Sequence, residues 1–582
     1  MEREQKLQDE PAMSSTAWAT SLGVAAATLA VTGCGAASGG SESAGVSPVV
    51  TPDNGPGAGE VPRRFALAAI GFTPDAGLPI TVNSLTGTTT VWFHLDGSTA
   101  TGSLEAPPSS STEVKHYAFS GPEVGTVTVT FNPPALGVIR DFPAEAASPI
   151  QTLSDVAFAG NVRDVSGLIG LNKHQQIKKL VRKIPVAPFQ AYPAWIDEPW
   201  PLSYDGMTHD QRKNRDLQIL DRTTNLKKWW FTQMVVNPQP LQERLLLFWH
   251  NIFTSSLDVS PPEIILRQHR LYRDMQLRTL PEFLKAMSRD PAMLMYLDGD
   301  QNVKDAPNEN FARELMELFT FGEASTSLAY TEGDIVELAR CFTGYSLNAT
   351  GAYYFNPAKH DADAKVLFGK AIAAGNVQDA GGDGDIAIDR ILEQRVAGRN
   401  ACAYYLTNRL WREFHGDKLP GDEAEITRIA ELFATDFAWD LKRFYEEVAA
   451  SPVAAAVNRS GTRYRSPVEL FVTYFRALNI TMTWDNLHDV VRFLIRQEQS
   501  LFSPPNVAGW PGGAAWISTK SVLNRDTNLW SVAAGDNVVA QDLRPIVERL
   551  LMVIPARRSP ASNANASQAA RFLVQDPAFQ VR

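Results

Sequence analysis

The sequence predicts a mainly α-helical protein: one large all-α domain, preceded by a small antiparallel β-sandwich-like domain and an N-terminal signal and tether. Three observations carry this expectation. From about residue 150 onward, apolar residues recur at three- and four-residue spacing, as in LQERLLLFWHNIF, NFARELMELFTF and EITRIAELFATDF, the period of helices with one buried face. Residues 63–148 instead hold short alternating stretches, TGTTTVWFHLDGS and GTVTVTFNPP among them, broken by Gly, Pro and Ser, the pattern of a small sandwich. Ahead of both lies an apolar run, ATSLGVAAATLAVTGC, followed by a Gly/Ser/Pro-rich stretch.

The apolar run ends in Val31-Thr32-Gly33-Cys34. Its length and small residues suit a signal-peptide core better than a membrane span. The four residues resemble the bacterial lipobox, in which the cysteine is lipidated and becomes the new first residue. Residues 1–34 are therefore expected to be a lipoprotein signal peptide, with Cys34 anchoring the protein to a membrane on the extracytoplasmic side, at the outer membrane or cell surface. Acids outnumber bases in the opening MEREQKLQDEP, an unusual start for such a peptide, and Met13 is an alternative start. A plain secreted protein and a cytoplasmic chain are the competing readings. Residues 35–62 read as a flexible tether.

The chain has 582 residues, 44% hydrophobic and 20% charged, with a net charge of -10. That is an ordinary globular composition, and it lacks the basic footprint that nucleic-acid binding leaves. Its one basic cluster, Lys173, Lys178, Lys179, Arg182 and Lys183, is either a solvated helix face or a contact for anionic lipid or polymer. Apart from Cys34 there are two cysteines, Cys341 and Cys402, which read as buried thiols or, in an oxidising compartment, as a disulfide.

Within the helical domain, residues 149–582, Thr331 and Asp334 make a capping pair ahead of IVELARCF. Ser466-Pro467 with Glu469 reads as another helix start. A loop-rich insertion is expected near 347–386. The stretch PNENFARELMELFTFG, residues 307–322, should be an amphipathic helix with Phe311, Leu315, Leu318 and Phe319 on its core face. Glu309, Arg313 and Glu317 fall opposite as an i, i+4 ladder of alternating charge, and Asn308 suits a capping position. Glu314 borders the core face, so its carboxylate should be partly buried and in need of a partner. His250 and Asn251 directly follow five apolar residues. His250 is thus either a core histidine or a site residue. His360 and Asp361 lie in KHDADAKVLFGK with Lys365, a loop placement that suits function.

Five stretches, FWHNIFTSS, YLDGDQNVKDAPNENFARELMELFTFG, YTEGDIVELARCFTGY, HDADAKVLFG and LFSPPNVAGWPGGAAWI, occur in this order. Together they resemble the bacterial family catalogued as domain of unknown function 1800, over roughly residues 150–540. The resemblance implies a large exported bacterial protein and no particular reaction. Many members of that family read His-Asn-His-Phe where this chain has His250-Asn251-Ile252-Phe253; were that second histidine a metal ligand, this chain would lack it, which weakens a transition-metal reading built on His250.

Two oxygen-rich loops are metal candidates. DGDQNVKDAPNE places Asp298, Asp300 and Asn302 at positions 1, 3 and 5 of a calcium loop and Glu309 at position 12, though Val303 stands where the sharp turn needs Gly. Asp379, Asp383 and Asp385 form the second. Trp510 and Trp516, in a Pro/Gly-rich loop, either plug the core or form an aromatic binding platform. The phosphate-loop, dinucleotide, G-x-S-x-G, H-E-x-x-H and C-x-x-C patterns are absent. Two functions follow. In one, His250, Asn251, Asn308, Arg313, Glu314, His360 and Asp361 converge as the acid/base site of a hydrolase or transferase acting on an envelope polymer. In the other, the chain is a non-catalytic surface scaffold that binds an envelope polymer or a surface protein.

Overall fold

The computed structural model describes residues 147–518 with short gaps (159–163, 166, 200–203, 323–328, 458, 460–461 and 478–481). It also describes strands between 50 and 119, residues 521 and 525, and 577–581. The signal peptide, Cys34 and most of the tether lie outside the described residues. The N-terminal strands are β1 (Val50–Pro52), β2 (Arg64–Ala66), β3 (Leu78–Ser84), β4 (Gly87–Leu95), β5 (Thr101–Glu105) and β6 (Tyr117–Phe119). Four form an antiparallel sheet in the order β2-β5-β4-β3, and β1 pairs with β6. The rest of the expected sandwich lies outside the described residues.

The body is mainly helical, as the period predicts. Its first half runs α1 (Ala147–Val156), α2 (Lys173–Arg182), α3 (His209–Val236), α4 (Pro240–His250), α5 (Pro262–Met275), α6 (Leu280–Ser288), α7 (Pro291–Tyr296), α8 (Asn310–Glu314) and α9 (Glu332–Cys341). The insertion that follows is two small hairpins, β7 (Tyr345–Leu347) with β8 (Tyr353–Phe355) and β9 (Lys365–Leu367) with β10 (Lys370–Ile372). Phe368 and Gly369 join the second hairpin with φ of 52° and 70°, the positive pair that a tight primed turn needs. Beyond it come α10 (Asp383–Glu393), the two-residue strands β11 (Arg395–Val396) and β12 (Arg399–Asn400), then α11 (Ala401–His415), α12 (Asp422–Ala434), α13 (Leu441–Ala449), α14 (Pro452–Ala455), α15 (Pro467–Ala477) and α16 (Trp484–Arg496).

Local chemistry sets these boundaries. Thr331 and Asp334 exchange side-chain and backbone bonds at the start of α9, and Ser466 and Glu469 do the same at α15. These bonds satisfy donors that a bare helix end would leave orphaned. Pro240, Pro262 and Pro291 each take a first helical position, where the missing N–H costs nothing.

The core is built around α4. All of its residues are buried, so its charged members must be paired inside the protein. Arg244 meets Glu413 and Glu469, and Glu243 meets Arg273. Trp249 stacks on Phe253 and donates Nε1–H to Tyr445 Oη at 2.7 Å. Cys341 and Cys402 are buried free thiols, which removes the disulfide reading. Among the described residues no helix is long and apolar enough to cross a membrane.

Candidate functional site

His250 ends α4 and is fully enclosed. Its ring lies 5.1–5.2 Å from Trp230, Tyr272 and Phe502 and 6.1 Å from Trp510. Neither ring nitrogen has a hydrogen-bond partner among the described residues. Burial pushes its pKa down to about 3, so the imidazole is neutral, and among the described residues no carboxylate orients it as a base. Asn251, the next residue, is half-buried. Its Oδ1 accepts the Trp510 N–H at 2.6 Å, and its carbonyl accepts from Arg409 at 3.0 Å. Asn251 thus stitches the Pro/Gly-rich loop to the core. That loop corrects the platform expectation: Trp510 and Trp516 are only 5% and 6% exposed, so neither presents a ring face to solvent.

The 298–317 segment is also spent on the fold. Asn302 is buried; its amide donates to Ala339 O at 2.8 Å and its Oδ1 accepts the Asn308 N–H at 2.9 Å. Asn308 Oδ1 in turn accepts the Asn310 N–H at 2.9 Å, but the N-cap of α8 is Glu309, so Asn308 stands one residue ahead of the capping position expected of it. The Glu309 carboxylate binds Arg313 at 3.1 Å. The calcium-loop reading of Asp298, Asp300, Asn302 and Glu309 is therefore corrected: all four side chains already have other partners, Asp298 accepting from Asn310 at 3.4 Å and Asp300 from Gln301 at 2.8 Å. Among the described residues no group of three or more His, Cys, Asp or Glu side chains is placed to hold a metal.

Arg313 makes the predicted ladder with Glu309 and Glu317 and also reaches Glu332 at 2.9 Å. Three carboxylates around one guanidinium leave it a poor seat for an anionic substrate. Glu314 is half-buried, as the wheel predicts. Burial, with the Asp258 and Glu314 carboxylates nearby, raises the pKa of the Tyr296 phenol. Just beyond Glu314 the helix widens into a π-helix, Leu315–Thr320.

His360 and Asp361 do not act as a pair. Asp361 is held by Arg340 at 2.7 Å. The buried His360 ring meets Thr343 O through Nδ1 at 2.8 Å and turns Nε2 toward Asp383 Oδ2, 3.4 Å away. The same Asp383 oxygen accepts from Lys365 at 2.6 Å, and both side chains are essentially unexposed. Burial would raise the Asp383 carboxyl, but the His360 and Lys365 bonds outweigh it and hold its pKa low. This closed ionic knot ties the insertion to α10. It also answers for Asp383 in the second oxygen-rich loop, whose Asp379 and Asp385 both bind Arg289.

The predicted site residues thus fall into three groups, each with its own internal partners. Neither of two clefts found among the described residues is lined by His250, Glu314 or His360. The larger, about 1140 Å3, runs between residues 186–192, α5 and the turn from α6 to α7. Its wall is apolar at Val186, Ala187, Pro188, Ala191, Leu271, Ala286 and Pro291. Polar groups converge on it: Tyr192, Arg267, Arg270, Asp274, Arg289 and Asp290. Arg270 is paired with Asp197 at 3.1 Å, an exposed contact of little energetic weight. Arg267 donates only to the backbone carbonyls of Ile196 and Glu198, and it has no carboxylate partner among the described residues. Asp290 lies on the floor, capping α7 through the Met293 N–H at 2.9 Å and accepting from Gln268 at 2.7 Å. Burial pushes its carboxyl up to about 7, against the pull of those donors.

Sequence reasoning passed over this cleft. Asp290-Pro291 carries a visible signal, a capping residue ahead of a first-position proline. Arg267 and Arg270 read as ordinary polar positions of an amphipathic helix.

A mainly helical body carries an apolar-walled cleft lined by Arg267, which has no carboxylate partner among the described residues, and this fold and cleft define no particular chemistry. A family model described as "Protein of unknown function (DUF1800)" matches residues 130–581, and the chain belongs to that family. No curated protein and no solved structure matches the chain.

Proposed function

We propose that the chain is an exported, lipid-anchored envelope protein whose helical body binds an anionic, partly apolar envelope molecule in the cleft between residues 186–192 and α5. The observation that carries the binding reading is Arg267, a cleft-lining guanidinium whose only described partners are backbone carbonyls. A carboxylate or phosphate entering there gains a charge-assisted bond without displacing an existing ion pair. Export and anchoring rest on the N-terminal sequence ending at Cys34. The test is titration with uronic-acid and phosphate-bearing oligosaccharides. Arg267→Gln should weaken binding about tenfold or more, the worth of one charge-assisted bond. Undiminished binding by that variant overturns the reading.

A second reading, a hydrolase or transferase acting on an envelope polymer, is favoured by Asp290. A cleft-floor carboxyl that titrates near neutrality suits a general acid or base. In this case Asp290→Asn abolishes turnover of the bound polymer while leaving its binding intact, and the rate follows a group titrating near 7. Turnover that survives in Asp290→Asn removes this reading.

A further inference from the structure

The segment joining α2 to the cleft exposes apolar surface in an unusual way. Val186 and Phe189 are 58% and 56% exposed, more than the other large apolar side chains among the described residues. A loose loop could fold such residues inward; this one is held from doing so. The Gln242 amide donates to Pro185 O. The Gln190 N–H donates to Gln233 Oε1 at 3.1 Å, and Gln233 Nε2 donates back to Gln190 O at 2.9 Å. Trp229 Nε1–H holds Ala191 O at 2.9 Å. Gln233 and Gln242 are both fully buried. Buried amides on α3 and α4 therefore pin each end of the loop and present its apolar tip to the outside.

Immediately before this loop, α2 ends in cations. It buries Ile177, Leu180 and Val181, while Arg182 and Lys183 are exposed and Lys178 is half-exposed. None of these three cations has a carboxylate partner among the described residues. Lys179 turns back to Gly167 O at 2.6 Å, and Lys173 is paired with Asp155. Three unneutralised cations beside a rigid apolar tip stand out on a chain of net charge -10.

We propose that Phe189, Val186 and the cationic end of α2 form a docking surface for an anionic lipid bilayer. The charge complementarity is direct: headgroup phosphates meet Lys178, Arg182 and Lys183, and Phe189 and Val186 enter the boundary between headgroups and acyl chains. An aqueous polymer would satisfy the cations but would leave the apolar tip in water. Docking does not rest on the cleft reading, although Val186 lies at the cleft edge and a docked protein would turn that mouth toward lipid.

The test uses the full chain as Cys34→Ser, made without lipid, sedimented with vesicles of phosphatidylglycerol and phosphatidylethanolamine or of phosphatidylcholine alone. The chain should sediment with the anionic vesicles, release as salt rises, and stay in solution with the neutral ones. Phe189→Asp should abolish sedimentation. Each of Arg182→Gln and Lys183→Gln should weaken it about fivefold. These side chains are exposed, so unchanged thermal unfolding separates lost docking from lost fold. Arg267→Gln should leave sedimentation intact while losing cleft ligand, so the two proposals fail separately. Equal binding to neutral vesicles, full binding by Phe189→Asp, or binding only to soluble polygalacturonate overturns the proposal.

Discussion

Glu243 of α4 and Arg273 of α5 meet as a forked pair at 2.9 and 3.0 Å, with neither side chain exposed. Asn237 and Trp230 donate to the same carboxylate at 2.8 and 3.2 Å. A buried pair gains little over an apolar replacement, but removing one member strands the other charge without water. Arg273→Met should therefore cost about 3–5 kcal/mol, read from urea unfolding. The double variant with Glu243→Gln should recover part of that loss. A cost under about 1 kcal/mol for the single change, the scale of a solvated surface pair, would show that water reaches the carboxylate.

Gly509 sits at φ 88° against Asn251, and a Cβ built there would strike Asn251 Oδ1. Gly509→Ala must then strain the backbone or break the Asn251 bond to the Trp510 N–H. The expected loss is about 2 kcal/mol or more, together with a rise in Trp510 exposure measured by fluorescence quenching. Unchanged stability and quenching would mean that the loop is not held through Asn251.

What was legible in the sequence was local. The Glu309–Arg313–Glu317 ladder, the Thr331–Asp334 cap and the half-burial of Glu314 follow from spacings of three or four residues and from one helical wheel. The partners that decide the rest are remote: Trp510 for Asn251 is 259 positions away, and the knot sets Asp383 against both His360 and Lys365. Nothing in KHDADAKVLFGK says which carboxylate its histidine will find. The plain helix expected through Phe319 also fails for a tertiary reason. The Leu315 carbonyl accepts from the Thr320 hydroxyl and the Leu318 carbonyl from Tyr405 Oη, at 2.7 and 2.6 Å, and the Phe321 N–H reaches back five residues to Met316 O. Side chains that claim helix carbonyls favour such a widened turn, and Tyr405 comes from a distant helix. The cleft depends in the same way on residues 186–192 being pinned over α5 by glutamines of α3 and α4.

The Lys365–Asp383 bond makes a further prediction. Lys365→Met leaves a buried carboxylate facing only His360, so the insertion should loosen before the helical body does. Limited proteolysis should cut the variant between about residues 345 and 372, at denaturant concentrations where the parent resists, because local opening exposes sites that the folded hairpins hide. Cleavage at the same rate in both proteins would show that the knot does not hold the insertion down.

His250 gives the sharpest pH prediction. Its folded pKa is about 3, lowered by burial from an ordinary value of 6.5. Below pH 6.5 the unfolded chain takes up a proton that the folded chain refuses, so the histidine favours folding above that pH. Its contribution is lost progressively as pH falls from 6.5 toward 3, by up to ~1.4 kcal/mol per pH unit. His415, also buried and lowered to about 3, adds the same sign. His250→Phe removes one such group and replaces two unpartnered buried nitrogens with carbon in a ring of similar shape, a change that should be nearly neutral at about pH 7.5. At about pH 5 the variant should gain roughly 2 kcal/mol relative to the parent, read as a narrower spread between urea midpoints at the two pH values. A loss of several kcal/mol at neutral pH would show instead that the imidazole nitrogens bind a group inside the aromatic box formed by Trp230, Tyr272, Phe502 and Trp510. His250 would then return to the list of site residues.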